Sequence, residues 1–408
     1  MVELLSAPGE LVGQVSLPGS KSSSNRWLIL NALSGNSGNL SYLSEADDTQ
    51  LLLKALNESG SERFVGAAGT AMRFLTAYLA TQPGEFKITG SDRAHHRPIS
   101  QLVDALRLLG ADISYLGKEG FPPLEIRGKT LVGGSLRMDA SISSQYISAL
   151  LLIAPILMNK LVIHWEGKLV SMPYLQQTVD TLQAAGIEVE VENARIAVSP
   201  GMPKIGSRDI EADWSSAGYW AAMVCLKPNS ALFLDRLDVQ SNQADKVVLE
   251  LLRPMGLQWQ QKEDGLHIRS AKTDRTHNLL EADFSDCPDL APTIICFCAA
   301  ARMRGVFSGI STLKYKESDR LLALKEELHK FGHKLSFSDD YAELIPTLAP
   351  YPSTAVVCST WSDHRIVMSM NLLVCAGAKI SWETQAVVSK SYPRYWDDLS
   401  KLGFEMKY

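Results

Sequence analysis

Residues Leu102–Leu116 read LVDALRLLGADISYL, and this stretch decides the fold class. Leu102, Ala105, Leu106 and Leu109 recur at the spacing of one helical face, Gly110 supplies the left-handed residue that ends a helix, and the following residues alternate as a short strand. The pattern returns at TVDTLQAAGIEVEVE (Thr178–Glu192), VVLELLRPMGLQWQQ (Val247–Gln261), LLALKEELHKFGHKLSF (Leu321–Phe337) and YWDDLSKLGFEMKY (Tyr395–Tyr408). A degenerate copy is TQLLLKALNESG (Thr49–Gly60). The closing glycines, Gly60, Gly110, Gly186, Gly256, Gly332 and Gly403, lie 50 to 76 residues apart. That period is too long for a simple solenoid and fits a larger α/β unit repeated six times. LVIHWEG (Leu161–Gly167), ALFLDRL (Ala231–Leu237) and AVVSK (Ala386–Lys390) read as short strands between the helices.

The chain of 408 residues is long enough for two or three domains. Its 46% hydrophobic and 21% charged content excludes disordered, collagen-like and membrane-spanning classes. Forty basic against 45 acidic residues leave a net charge of −5, which argues against a dedicated nucleic-acid binder. The cysteines at 225, 287, 296, 298, 358 and 375 form neither a disulfide framework nor a CxxC pair, so buried free thiols are expected. The N-terminus shows no basic stretch leading into a long apolar segment, and no uninterrupted apolar run approaches the length of a membrane span. These features predict a soluble cytoplasmic protein with no nucleic-acid or membrane partner.

Several segments are suited to anions. LPGSKSSSNRWLILNAL (Leu17–Leu33) is a Pro-Gly turn entering a helix, with Ser22 and Arg26 on one face near its N-terminus, where N–H groups and the dipole favour negative charge. Ser20 stands where a Walker A loop needs glycine. GAAGTAMRFL (Gly66–Leu75) is a second small-residue turn before a helix, and HHRPISQLVDAL (His95–Leu106) sets Arg97 before a third. SISSQYISALL (Ser141–Leu151) gathers Ser143, Ser144 and Gln145 at a helix start. LKYKESDRLLALKEEL (Leu313–Leu328) places Lys316 and Arg320 on one helical face with Glu317 beside them. STWSDHRIVMSMNLLV (Ser359–Val374) puts Asp363, His364 and Arg365 at the mouth of an almost wholly apolar helix. Asp289, in DCPDLAPTI (Asp286–Ile294), reads most simply as a helix cap. Capping alone explains any one of these segments. His329 and His333 flank Gly332 with no accompanying carboxylate cluster, so neither a metal nor a cofactor is expected.

Together, in order from Leu17 to about Pro393, PGSKSxSNR, xAGTAMR, RPIxxLVDAL, SSQ, KESDR, DHR and a late lysine before an aromatic-Pro pair resemble the 5-enolpyruvylshikimate-3-phosphate synthase (3-phosphoshikimate 1-carboxyvinyltransferase) family. The resemblance implies two similar domains of three βαβαββ repeats each, an inside-out α/β barrel. Residues 1–20 and 212–408 would form one domain and 21–211 the other, with hinges near 20–21 and 211–213 and closure on the substrates. It also implies a monomer that moves the carboxyvinyl group of phosphoenolpyruvate to the 5-hydroxyl of shikimate 3-phosphate, in aromatic amino-acid biosynthesis by the shikimate pathway. Phosphate leaves by addition and elimination through a tetrahedral intermediate.

Position by position, the resemblance assigns Lys21 to phosphoenolpyruvate, and Ser22 and Arg26 to the shikimate carboxylate. Ser143, Ser144 and Ser171, with Gln145 and Tyr174 alongside, would cradle the 3-phosphate. Gly69, Arg97 and Lys390 would take the phosphate side of phosphoenolpyruvate, and Arg320 and Arg365 its carboxylate, with Gln145 near. Asp289, Glu317 and Lys316 would lie at the reacting centre, Asp289 and Glu317 moving protons with Lys21, and Thr70, Thr312 and His364 in support. Seven cations against two acids leave five positive charges for substrates carrying about −5 to −6. Ala67, Phe74 and Thr312 depart from the family's usual residues, the first two near the subsite where glyphosate competes; Gly69 and Thr70 are kept, so inhibition by glyphosate is expected. A UDP-N-acetylglucosamine enolpyruvyl transferase fits less well, since residues 1–224 hold no cysteine and Ser22, not Asn, follows Lys21. A non-catalytic hinged anion-binding protein would explain the cations without needing Asp289 or Glu317.

Overall fold

In a computed structural model the stretch Leu102–Leu116 forms part of a six-element repeat. Strand Glu62–Phe64, helix Gly69–Ala80, strand Gly84–Thr89, helix Ser100–Leu108, and strands Asp112–Tyr115 and Leu124–Gly128 come in order, βαβαββ. The first two strands pair in parallel, because a helix carries the chain back between them; the final two add on antiparallel, giving the sheet order first–second–fourth–third. The structure describes residues 1–139, 144–167, 172–271 and 278–408. The chain divides into two units, Gly19–Ile210 and a second made of Met1–Pro18 with Glu211–Tyr408.

The same order recurs from Gly134–Asp139 to Arg195–Val198 and from Leu279–Asp283 to Tyr341–Ile345. In the second unit, Val12–Val15 pairs in parallel with Ala231–Asp235, so one repeat is interrupted by the whole of the other unit. The last repeat takes its fourth strand, Val2–Ser6, from the N-terminus. The sixth is cut short. Ser207–Asp209 and Asn39–Ser41 pair in parallel, but after helix Asp47–Asn57 the chain runs directly into strand Glu62–Phe64 and adds no hairpin.

That shortcut corrects one expectation. Gly110, Gly186, Gly256, Gly332 and Gly403 have φ between 79° and 101°, whereas Gly60 is not left-handed, because Glu58 already leaves the helix extended toward the next strand. At Gly110 the bonds Gly110 N–H to Arg107 O and Ala111 N–H to Leu106 O, both 2.9 Å, close the helix. AVVSK is likewise a 3₁₀ turn, Ala386–Lys390, not a strand: Val387 and Val388 are adjacent and both buried, which a strand with one wet face does not allow.

Each unit has its own apolar core. Helices Ser144–Ile153, Trp214–Leu226 and Ala291–Ala300 are buried almost all round. The strands bury one face only, as Leu124 and Ile126 do between exposed Glu125 and Arg127. Helices therefore sit inside each unit and sheets outside, so polar groups at helix ends are held in rigid, partly dry surroundings. All six cysteines are buried and none forms a disulfide. No described helix is long and apolar enough to cross a membrane.

Candidate functional site

In the unit Gly19–Ile210 the expected residues cluster at helix starts. Ser20 caps helix Lys21–Leu33 by accepting the Ser23 N–H. Lys21 Nζ lies 3.0 Å from Asp48 Oδ2. Arg26 is buried, with its guanidinium directed at protein acceptors: Nε to Thr178 Oγ1 at 2.8 Å, Nη1 to Ser22 O at 2.7 Å and Nη2 to Tyr174 O at 2.7 Å. These bonds tie Ser22, Arg26 and Tyr174 together across two helices. Phe74, one of the unusual residues, is buried with its ring 5.7 Å below the Arg26 guanidinium.

A second group surrounds helix Gly69–Ala80. Its first turn has no side-chain cap, leaving the backbone N–H groups at Gly69 and Thr70 oriented for an anion. Arg97 lies against this turn; its Nη1 donates to Ala67 O at 3.2 Å, and a β-carbon on Gly69 would overlap its guanidinium. Close approach of the cation thus requires glycine there. Arg97 stands before Pro98, and helix Ser100–Leu108 begins after Ile99. Arg73 donates to Gln145 Oε1 at 2.5 Å and to Pro98 O at 3.4 Å, linking this group to the start of helix Ser144–Ile153, where Ser144 is buried. Arg73 falls within the AGTAMR motif, yet the motif alone assigns it no role. Ser143 and Ser171 lie outside the described residues.

In the other unit the acids and cations interlock. Arg320, 1% exposed, meets three carboxylates: Asp363 Oδ2 at 2.9 Å, Asp289 Oδ1 at 2.9 Å and Glu317 Oε2 at 2.5 Å. Asp289 also accepts from Lys316 Nζ at 3.1 Å and from Arg365 Nη2 at 3.3 Å. It sits inside the turn Pro288–Leu290 and makes no cap; the capping expectation fails because its carboxylate is drawn to three cations. Lys316 and Glu317 precede the helix instead of sharing its face, since Asp319 caps Arg320–His329 by accepting the Leu322 N–H.

Asp363, fully buried, caps helix His364–Met370 through the Arg365 N–H at 2.9 Å while also accepting from Ser318 Oγ at 3.0 Å. It is delivered by Trp361 and Ser362, both left-handed with φ of 51° and 52°, an arrangement costing about 1–2 kcal/mol per non-glycine residue. Lys390 Nζ donates to Ser362 O at 2.8 Å, which places the late lysine beside this turn. His364 is buried with Nδ1 3.8 Å from Asp363 Oδ1, and Thr312 Oγ1 is buried without a hydrogen-bond partner.

Charge dictates the protonation. Burial resists ionisation of Asp289, but Lys316, Arg365 and Arg320 outweigh it and hold the carboxyl well below the usual range. Burial likewise opposes Asp363, and Arg320 overcomes it. For Arg320, burial is opposed by Asp363, Glu317 and Asp289, which keep it firmly protonated. Further charged groups stand beside these residues: in one unit Asp48 meets Lys21 and Arg73 meets Gln145, and in the other Asp363 meets Arg320 and Asp245 lies near Arg365. Asp48 and Asp245 were missed because they stand outside the sequence motifs, whereas Asp363 falls within DHR and only its pairing with Arg320 was not read.

A family model described as EPSP synthase (3-phosphoshikimate 1-carboxyvinyltransferase) matches residues 5–63 and 58–399. A curated 3-phosphoshikimate 1-carboxyvinyltransferase of Bacteroides fragilis is 41% identical, over 99% of this chain and 98% of the relative. Another, from Aliivibrio fischeri, is 33% identical over 96% and 97%. Among solved structures, an EPSP synthase from Acinetobacter baumannii superposes with a TM-score of 0.80 at 21% identity, covering 100% of this chain and 99% of that one.

Proposed function

The chain belongs to the EPSP synthase (3-phosphoshikimate 1-carboxyvinyltransferase) family, and from that premise we propose how its own residues carry the transfer of the enolpyruvyl group of phosphoenolpyruvate to shikimate 3-phosphate in aromatic amino-acid biosynthesis. The observation that carries the proposal is the Asp289 carboxylate resting on Lys316, Arg320 and Arg365. This acid competes with any incoming substrate anion for the same three cations. Its low pKa makes it a poor base there.

Phosphoenolpyruvate supplies the competing carboxylate, held by Arg320 and Arg365, while its phosphate lies toward Gly69, Arg97 and Lys390, with Lys21 and Gln145 near. Shikimate 3-phosphate is held by Ser22, Arg26 and Lys316, with its phosphate at Ser143, Ser144, Ser171, Gln145 and Tyr174. Once the cations turn to the substrates, Asp289 regains basicity and accepts the proton of the 5-hydroxyl as that oxygen bonds to C2. Glu317, which takes up a proton from solvent once Arg320 turns to the substrate carboxylate, delivers it to C3, with Lys21 as a further carrier. The resulting ketal loses phosphate as a C3 proton returns to the protein, restoring the double bond, and the surrounding cations stabilise the departing charge. Thr70, Thr312 and His364 support these groups without touching the reacting atoms.

An anion-binding protein without catalysis would have no use for Asp289 and Glu317 at this position. The protein works as a cytoplasmic monomer with no cofactor, and glyphosate competes with phosphoenolpyruvate because Gly69 and Thr70 are kept. A phosphate-release assay tests the reading: release requires both substrates together. No release from the pair, or release from phosphoenolpyruvate alone, overturns it.

A further inference from the structure

We propose that Asp245 is a buried counter-charge to Arg365, joined to it through the Ser215 hydroxyl, that loosens the hold on the substrate carboxylate when ionised and tightens it when protonated. Asp245 is 3% exposed, in the turn Ala244–Val247 against helix Trp214–Leu226. Ser215, the second residue of that helix, donates its hydroxyl to Asp245 Oδ2 and accepts from Arg365 Nη2 at 3.2 Å. A hydroxyl has one proton, and an ionised carboxylate only accepts, so the Ser215 proton faces Asp245 and its lone pairs face Arg365. The orientation of the serine is thereby fixed, and the guanidinium is held between Ser215 and Asp289, whose Oδ2 and carbonyl oxygen it also contacts at 3.3 and 3.1 Å.

The other Asp245 oxygen, Oδ1, is buried with no hydrogen-bond partner. It can take a proton without disturbing the Ser215 bond, so titration changes the charge behind Arg365 and leaves the contacts in place. The groups facing Asp245 are Arg365 on its helix, Asp289 in the turn Pro288–Leu290, Asp213 at the cap of Trp214–Leu226, and Cys287. Burial, helped by Asp289 and Asp213 and opposed by Arg365 and Ser215, pushes the Asp245 carboxyl up to about 6. Its charge therefore changes near neutrality, while Asp289, held far lower, stays ionised.

The inference rests on Arg365 receiving the phosphoenolpyruvate carboxylate. The test is the KM for phosphoenolpyruvate at saturating shikimate 3-phosphate, at pH 5.5 and pH 8, for the parent, Asp245→Asn, Ser215→Ala, Ser215→Thr and Arg365→Gln. Comparing variants at one pH cancels the titration of the substrate's own phosphate. Asn mimics the protonated acid, so at pH 8 Asp245→Asn lowers KM three- to tenfold, and at pH 5.5 it matches the parent within twofold. An equal factor at both pH values, no effect, or a higher KM at pH 8 overturns the proposal. Ser215→Ala, which leaves Asp245 in place, raises KM severalfold at both pH values and Ser215→Thr restores it; an unaltered KM in Ser215→Ala overturns the link. Should Arg365→Gln leave KM unchanged, the carboxylate assignment itself fails. A raised KM there with no pH-dependent effect of Asp245→Asn sinks only this inference.

Discussion

Replacing Asp289 by Asn should move two kinetic quantities in opposite directions. The carboxylate neutralises Lys316, Arg320 and Arg365 at 3.1, 2.9 and 3.3 Å, so it competes with any incoming anion. A substrate carboxylate about 5 Å away, at an effective dielectric near 20, meets roughly 3 kcal/mol of repulsion from it. The amide also organises the cations less well, and if about half of that energy survives, phosphoenolpyruvate binds about tenfold tighter. Loss of the base should meanwhile lower kcat by about 10²- to 10⁴-fold. The assay is equilibrium binding of phosphoenolpyruvate to the variant beside kcat from phosphate release with both substrates. Weaker binding together with near-normal kcat would refute the reasoning, because Asp289 would then be a simple structural partner of the cations.

Glu317→Gln should cost kcat about 10²- to 10⁴-fold while KM values stay within a few fold, read from the same assay, since the amide keeps the contact with Arg320 but donates no acidic proton. Gly69→Ala forces its β-carbon into the Arg97 guanidinium and should raise KM for phosphoenolpyruvate about tenfold without altering KM for shikimate 3-phosphate. Asp363→Asn should lower stability by about 3–5 kcal/mol at pH 7 in urea unfolding, since it strips the charge from a buried pair. Asp363 has a lowered pKa, so its contribution is present above about pH 4 and lost as pH falls through the lowered value; the gap between parent and variant should narrow toward pH 3.

What the sequence revealed was mostly local. A left-handed glycine after a helix needs only its own backbone, so Gly110, Gly186, Gly332 and Gly403 were readable in place. Gly60 was not, because the path of the chain beyond Asn57 depends on where the next repeat's first strand lies. AVVSK misled for a similar reason: its two valines are buried by neighbouring elements, and nothing in five residues records that. The cations at the site were legible because they fall in short motifs. Their pairing with acids was not, although Asp289, Glu317 and Asp363 are singled out in the sequence, since Asp363 meets Arg320 from 43 residues away and Asp245 meets Ser215 from 30. Buried pairing of this kind is set by how repeats pack, and a carboxylate alone in a turn looks like any cap.

The account turns on protein acids driving hydrogen on and off C3 of phosphoenolpyruvate during transfer. Running the reaction in heavy water and locating deuterium in the product by NMR measures that directly. Deuterium should enter the vinyl methylene of the product, at a rate cut by Glu317→Gln. Turnover that leaves the methylene free of solvent deuterium would contradict addition and elimination through a ketal, and with it the roles given to Asp289 and Glu317.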